Sequence, residues 1–294
     1  MNFLFPVFGA SLFQWFLVMD TVRERGLRPE TAQQSLRENG MRIAATDYDG
    51  TLCMKGVVAP EVLAAIREWR ARGNVFGIVT GRDLSMVFHE VSRWNIPFDF
   101  LLCCSGAVAY DGDLAVLGSR SIEDSFVSRV LRHEASIESM HYELCCNGKV
   151  NLFVRDAASW FPRLGVPYTP ISLEESWEQK NLQQISLAYH DAATGEANAR
   201  ALDAAFGHAL TVNLNGGCVD ITSGGVDKAT GLSDLGALLH WPAEGILAIG
   251  DGENDIPMIR RFAGFTVPCA ADSVKAEARA VYADVGHMLR DAMA

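Results

Sequence analysis

The sequence predicts an α/β protein with a Rossmann-like core built on a parallel sheet and an α+β domain inserted into it. Three observations carry this. From residue 41 onward short apolar runs alternate with amphipathic segments, the βαβ rhythm. Between about Gly118 and Asp220 the pattern changes to paired strands around Asn147-Gly148, a two-residue turn signal. After residue 222 the first rhythm returns. The expected division is therefore 41–118 and 222–294 for the core and 119–221 for the insertion, with residues 1–40 as an extension outside both.

The elements follow in order. Ile43 to Thr46 reads as a buried strand. Pro60 to Arg72 reads as a helix closed by Gly73, with Val62, Leu63, Ile66 and Trp69 on one side and Glu61, Arg67, Glu68 and Arg70 on the other. Val75 to Thr80 is a strand, Leu84 to Trp94 a second amphipathic helix, and Phe98 to Cys104 a third strand. Strands that are apolar throughout suit a parallel sheet covered on both faces. The insertion contributes strands at Tyr142 to Cys146, Val150 to Val154, Gln184 to Tyr189, Thr211 to Leu214 and Cys218 to Ile221, with a helix around Glu196 to Phe206. The returning core supplies a helix near Gly231 to Leu239, the strand Gly245 to Gly250, a short helix near Ile256 to Phe262, the strand Phe265 to Val267 and a terminal amphipathic stretch.

Composition narrows the function. Thirty-six acidic against 25 basic residues give a net charge of -11, which repels nucleic acid and anionic lipid, and the sequence has no local basic patch to offset it. The seven cysteines include two adjacent pairs that suit neither a disulfide framework nor a zinc site, so they read as free thiols in a reducing, cytoplasmic compartment. Oligomeric state is not legible. The seven histidines lack metal-ligand spacing, and no Gly-x-x-x-x-Gly-Lys loop or Gly-x-Gly-x-x-Gly fingerprint is present. Trp160, Trp177, Tyr168 and Tyr189 in the insertion are expected to pack rather than to stack on a ligand. From Phe3 to Met19 the chain carries no charge, yet Pro6, Ser11 and Gln14 interrupt the run and its length falls short of a spanning helix. Membrane contact is not the favoured reading of that run, and a start at Met41 is the other reading left open; Arg28-Pro29-Glu30 marks a helix start between them.

The chemistry gathers at strand ends. Alternate residues of an extended chain share a face, so Asp47 and Asp49 should point one way and Tyr48 the other, with Gly50 allowing a sharp turn. This is no EF-hand, since Leu52 and Val58 occupy the positions of the required glycine and glutamate. Two further strands end in Thr80-Gly81-Arg82 and in Gly250-Asp251-Gly252-Glu253-Asn254-Asp255. Parallel strands put such ends on one edge, where open α/β sheets bind ligands. Carboxylates converging from Asp47, Asp49, Asp251 and Asp255 would repel one another unless a cation lay among them, and Mg²⁺ suits oxygen ligands and phosphate. Lys228, within Gly224-Gly225-Val226-Asp227-Lys228-Ala229-Thr230-Gly231, is expected just before a helix whose free N-terminal amides would attract an anion.

Taken in order, these motifs resemble those of the haloacid-dehalogenase (HAD) superfamily phosphatases, specifically the Cof-type members with a large inserted cap (class IIB). The resemblance rests on Asp47-x-Asp49-Gly50-Thr51-Leu52, Thr80-Gly81-Arg82, Lys228 and Gly250-Asp251-Gly252-x-Asn254-Asp255, with Ser105-Gly106-Ala107 similar to the turn before the cap. It runs from about Met41 to the C-terminus. It implies a Mg²⁺-dependent phosphomonoester hydrolase acting on a small phosphorylated metabolite, a sugar phosphate, through an aspartyl-phosphate. Asp47 would be nucleophile and Asp49 general acid and base. Asp47, the Asp49 carbonyl and Asp251 would hold Mg²⁺, while Thr80, the amides of Tyr48 and Gly81, Lys228 and Asn254 would cradle the phosphoryl oxygens. Asp255 would orient Lys228 or a metal-bound water, and Arg82 would be either an ion pair or a substrate contact. The alternatives are a phosphotransferase or mutase with the same nucleophile, specificity like that of trehalose-phosphate phosphatases, which Tyr48 favours and the fourth motif opposes, and a non-catalytic binding protein of the same fold.

Overall fold

The strand Ile43–Thr46 (β1) is buried at all four positions, and the sheet it joins is covered on both sides. The computed structural model describes residues 40–294; the apolar run and the Arg28-Pro29-Glu30 helix start lie outside the described residues. The core sheet contains β1, Val75–Val79 (β2), Phe100–Cys103 (β3), Val108–Asp111 (β4), Val116–Ser119 (β5), Ile246–Ile249 (β12) and Ala263–Phe265 (β13) in the order β13-β12-β1-β2-β3-β4-β5. The first five of these run parallel, and β4 and β5 fold back antiparallel at the edge.

Alternation along the strands sends Ala44, Ile78 and Leu101 to one side and Ile43, Ala45, Val79 and Leu102 to the other. The first side is covered by Pro60–Ala71 (α1), Leu84–Trp94 (α2) and the C-terminal Val285–Met293 (α10), through Val62, Ile66, Trp69, Val87, Val91, Met288 and Leu289. The second is covered by Lys228–Leu238 (α7) and Ile256–Arg261 (α8).

The insertion forms a second sheet from His141–Cys146 (β6), Lys149–Val154 (β7), Thr169–Pro170 (β8), Gln184–Ala188 (β9), Leu210–Asn215 (β10) and Cys218–Ser223 (β11), ordered β10-β11-β9-β6-β7-β8. Asn147 and Gly148 close its β6–β7 hairpin with φ of 50° and 75°, the left-handed pair that a tight hairpin requires. On one face Tyr142, Leu144, Ile185, Leu187, Val219 and Ile221 pack beneath Asp124–Leu131 (α3), Glu134–Ile137 (α4) and Ala192–Phe206 (α6). The opposite face is turned to the core, where Cys145, Val150 and Leu152 pack with Cys104 and Tyr110. Leu173–Trp177 (α5) and Asp272–Lys275 (α9) are short connecting helices. Tyr189 is buried and donates to Ala135 O, and Trp160 packs against His141 and Phe161.

Several boundaries depart from the pattern-based reading, two of them in the returning core. The seventh helix begins at Lys228 rather than near Gly231, because Asp227 caps it: the Asp227 carboxylate accepts from the Thr230 amide and the Thr230 hydroxyl accepts from the Asp227 amide. Gly231 is an interior helical glycine whose absent side chain lets the helix lie against the backbone of Gly106. The last strand is Ala263–Phe265 rather than Phe265 to Val267, with Thr266 making only an isolated bridge to Val281.

Candidate active site

The parallel strands deliver β1, β2 and β12 side by side with their C-terminal ends on one edge. Asp47 follows β1 directly, and its amide donates to Ile249 O at 2.8 Å, tying the first loop to the end of β12. The loop then turns at Gly50, where φ is 81° and where a Cβ would collide with the Asp251 carboxylate. Glycine is needed there on both counts. Thr51 donates its hydroxyl to Asp251 Oδ1 at 2.7 Å.

Asp255 turns back on the other end of this cluster. Its Oδ2 accepts from the amides of Asp251 and Gly252 at 3.0 and 2.9 Å, and a side chain at Gly250 would overlap the Asp255 carboxylate. Lys228 reaches the same place from the first turn of α7, held there by the contact of Gly231 with Gly106. Its Nζ donates to Asp47 Oδ1 and Asp255 Oδ1, both at 2.6 Å, and the three side chains are almost fully buried. Burial opposes the ammonium, but Asp255 and Asp47 outweigh it and hold Lys228 above the ordinary lysine value. Burial also pushes the Asp47 carboxyl up; Lys228 counters this, while the charges of Asp255 and Asp251 add to it.

Carboxylate oxygens of Asp47, Asp251 and Asp255 all lie within 4.8 Å of one another. This all-oxygen, negatively charged donor set fits a hard divalent cation such as Mg²⁺, whose charge would relieve the repulsion that raises Asp47. Both oxygens of Asp255 are already engaged, so Asp47 and Asp251 are the side chains better placed to ligate.

Asp49 and Asp47 do not share a partner. Asp49 is exposed and receives a two-pronged ion pair from Arg82, Nε to Oδ2 at 2.7 Å and Nη2 to Oδ1 at 2.8 Å. The two acids take different partners, Arg82 for Asp49 and Lys228 for Asp47, since the strand geometry that would align their side chains ends at Thr46. Arg82 also lies 5.2 Å above the ring of Tyr48, whose hydroxyl donates to Glu90 Oε2 at 2.9 Å from within the core. Thr80 is buried, and its Oγ1 accepts from the Arg82 amide at 3.1 Å. Asn254 stands in the one-turn helix Glu253–Asp255, half-buried beside the cluster. Of the helix N-terminal amides expected to attract an anion, the Thr230 amide is taken by the Asp227 side chain.

The sequence reading missed the insertion's contribution. Gln184 Nε2 donates to Gly81 O at 3.0 Å, so the second sheet sits directly on the Thr80-Gly81-Arg82 turn. A Cβ at Gly81 would lie 3.4 Å from Asp220 Oδ2 and from Ser105 Oγ, and 3.5 Å from Asn215 Nδ2. Asp220 accepts from Ser186 Oγ at 2.5 Å, and burial lifts its pKa to about 6 against the hydrogen bonds of Ser186 and Asn215 and the charge of Lys228. Beside it Glu143 is held well above the usual carboxylate range by burial and by the charges of Asp83 and Asp220. Asp83 Oδ1 caps α2 through the amides of Ser85 and Met86, while its buried Oδ2 meets no nitrogen or hydroxyl donor.

A fold of this order, with an acid, a threonine, a lysine and a second acidic loop on one sheet edge, has the arrangement of a phosphoryl-transfer enzyme. The haloacid dehalogenase-like hydrolase family model matches residues 44–286, and the chain belongs to that family as a Cof-type phosphatase. It is 26% identical over 267 residues to the pyridoxal phosphate phosphatase YbhA of Escherichia coli (strain K12), covering 83% of this chain and 93% of that protein. Its fold is similar to that of a HAD/COF-like hydrolase from Plasmodium vivax, with a TM-score of 0.75, 21% identity and coverage of 89% of this chain and 98% of that one. It is also similar to the HAD subclass IIB sugar phosphatase BT4131, with a TM-score of 0.71, 18% identity and coverage of 86% and 98%. The first sheet is accordingly the HAD core and the second sheet the cap.

Proposed function

We propose that the chain hydrolyses the phosphate monoester of a small metabolite, a sugar phosphate or a comparably polar alcohol, through an aspartyl-phosphate formed on Asp47. The observation that carries this reading is the buried Lys228 ammonium at 2.6 Å from Asp47, beside Asp251 and Asp255. One carboxylate is thereby fixed in place by a cation that also faces an arriving phosphoryl group. Asp47 attacks phosphorus, and Asp49 protonates the departing alcohol and then takes the proton of the water that releases phosphate. Asp49 must leave the fork of Arg82 to do so, which gives Arg82 the role of holding it aside between turnovers. Lys228, the Thr80 hydroxyl, the amides of Tyr48 and Gly81, and Asn254 receive the phosphoryl oxygens, and Asp255 orients Lys228. Mg²⁺, held by Asp47, the Asp49 carbonyl and Asp251, would neutralise phosphate charge.

The reading takes residues 41–118 and 222–294 as core, 119–221 as cap and the seven free thiols as suited to a reducing, cytoplasmic setting. Among the described residues no helix is long and apolar enough to cross a membrane. Names of the relatives favour a small polar substrate: one is a pyridoxal phosphate phosphatase and another a sugar phosphatase. The test is phosphate release from a panel of phosphorylated metabolites, with and without a chelator. Turnover that stops on chelation, returns with Mg²⁺ and is absent in Asp47→Asn supports the proposal. Unchanged release from Asp47→Asn refutes it, and capture of the phosphoryl group by an added alcohol in preference to water would make the enzyme a phosphotransferase.

A further inference from the structure

The cap sheet turns a polar row towards the core. In register, Asn213 on β10, Asp220 on β11, Ser186 on β9 and Glu143 on β6 stand side by side across four strands. The period-two alternation of a strand puts them on the face opposite the apolar one, and the contacts of Gln184 and Asp220 with Gly81 place that face over the phosphate-binding turn. Thr211, Asn215, Cys218, Thr222, Gln184, Cys145 and His141 share it. Among the described strand residues of this face there is no lysine or arginine; Lys149 lies on the other side, paired with Cys146. The two cations nearest the cleft are committed elsewhere, Lys228 to Asp47 and Asp255, and Arg82 to Asp49.

We infer that Asp220, flanked by Ser186, Asn215 and Gln184, is a specificity-determining residue that accepts hydrogen bonds from hydroxyl or ammonium groups of the leaving alcohol and turns away alcohols bearing a second anion. Two observations support a ligand rather than a closed structural network. Gln184 is buried with its Oε1 unpartnered, although its Nε2 is fixed to Gly81 O and to Ser186 Oγ at 2.8 Å. Such an acceptor carries a desolvation cost until a donor arrives. The Asp220 carboxylate lies against the Thr80-Gly81-Arg82 turn, where a Cβ at Gly81 would stand 3.4 Å from its Oδ2, on the reacting side of the cap. Burial lifts Asp220 only to about 6, so it is ionised at neutral pH and repels a carboxylate or second phosphate brought beside it. Burial and the charges of Asp83 and Asp220 hold the neighbouring Glu143 carboxyl well above the usual carboxylate range; Asp83, Asp220, Cys145, Cys104 and Cys218 are the titratable groups around it.

This inference rests on the phosphatase reading and names its substrate class: monoesters of neutral or cationic polyols and amino alcohols. The direct test compares the 1-phosphates of glucose, glucosamine and glucuronate, which keep the same pyranose ring and ester position while the alcohol changes in charge, with p-nitrophenyl phosphate as a common reference. The kcat/KM of glucuronate 1-phosphate is expected to be about 100-fold below that of glucose 1-phosphate, as for a like charge placed in a partly desolvated site. In Asp220→Asn, which keeps shape and removes charge, that ratio should shrink about tenfold or more, with circular dichroism reporting an unchanged fold. Equal turnover of the two sugars by the native enzyme, or a folded Asp220→Asn that slows both alike and leaves their ratio intact, overturns the inference while leaving the phosphatase reading standing. No hydrolysis of any ester, p-nitrophenyl phosphate included, overturns the phosphatase reading and this one with it.

Discussion

Replacing Lys228 with methionine isolates the largest electrostatic element of the site. The side chain keeps its unbranched stem up to the ε position, but the ammonium that donates to Asp47 and Asp255 at 2.6 Å is gone, leaving two buried carboxylates without their common counter-charge. Removing one partner of a buried ion pair costs about 3–5 kcal/mol. The lysine has two partners and is 2% exposed, so the upper half of that range applies. Urea denaturation followed by circular dichroism should therefore show a midpoint shift with an unchanged slope. The loss has a definite pH dependence. Without Lys228 the carboxyl at Asp47 has a still higher folded pKa than in the native protein, whereas in the unfolded chain it returns to the ordinary range. A raised folded pKa means stability present at low pH and lost as pH rises through it; the native carboxyl is already lifted to about 8, so variant and native protein diverge above that value and the deficit should be larger at pH 9.5 than at pH 7. Saturating Mg²⁺ should recover part of it, about 2.7 kcal/mol when the ion is at one hundred times its Kd. A loss below about 1 kcal/mol, or one insensitive to both pH and Mg²⁺, would refute the reasoning.

Two further perturbations probe other parts of the structure. Glu143 has a raised folded pKa, so its contribution to stability is present in acid and lost as pH climbs from the ordinary glutamate value through the folded one; Glu143→Gln, which mimics the protonated form, should gain in Tm relative to the native protein between pH 5 and pH 8, and a difference flat across that range would deny that burial raises this carboxyl. Gly231→Ala inserts a Cβ into the backbone of Gly106 and should cost about 1–3 kcal/mol while displacing Lys228 from Asp47; a variant with native stability and native kcat would show that α7 is not held by this contact.

Much of the core was legible because its rules are local. β1, α1, β2 and α2 follow from apolar spacing, Pro60 and Gly73, and a parallel sheet then forces Asp47, Thr80 and Asp251 to one edge whatever lies between them in the chain. Lys228 could be assigned to that edge, but not its position within α7. Gly231 looks like a helix boundary when only local propensity is considered, and the reason it lies inside the helix is a contact with Gly106, 125 positions earlier. The pairing of Asp49 with Arg82 was equally hidden, since Tyr48 turns the loop into the core and carries Asp49 away from Asp47. The polar face of the cap left a trace in the alternation of His141, Glu143 and Cys145, and of Gln184 and Ser186. That alternation marks a two-sided sheet, yet which side meets the core depends on how the insertion docks, and no local pattern contains that information.

The most direct measurement is to quench a reaction with a radiolabelled phosphate ester in acid within a single turnover and map the label by peptide digestion. The account predicts label on the peptide containing Asp47, in acid-stable and alkali-labile linkage as an acyl phosphate requires, and none in Asp47→Asn. Label on a different residue, or full phosphate release from the native enzyme with no protein-bound label at any quench time, would contradict it.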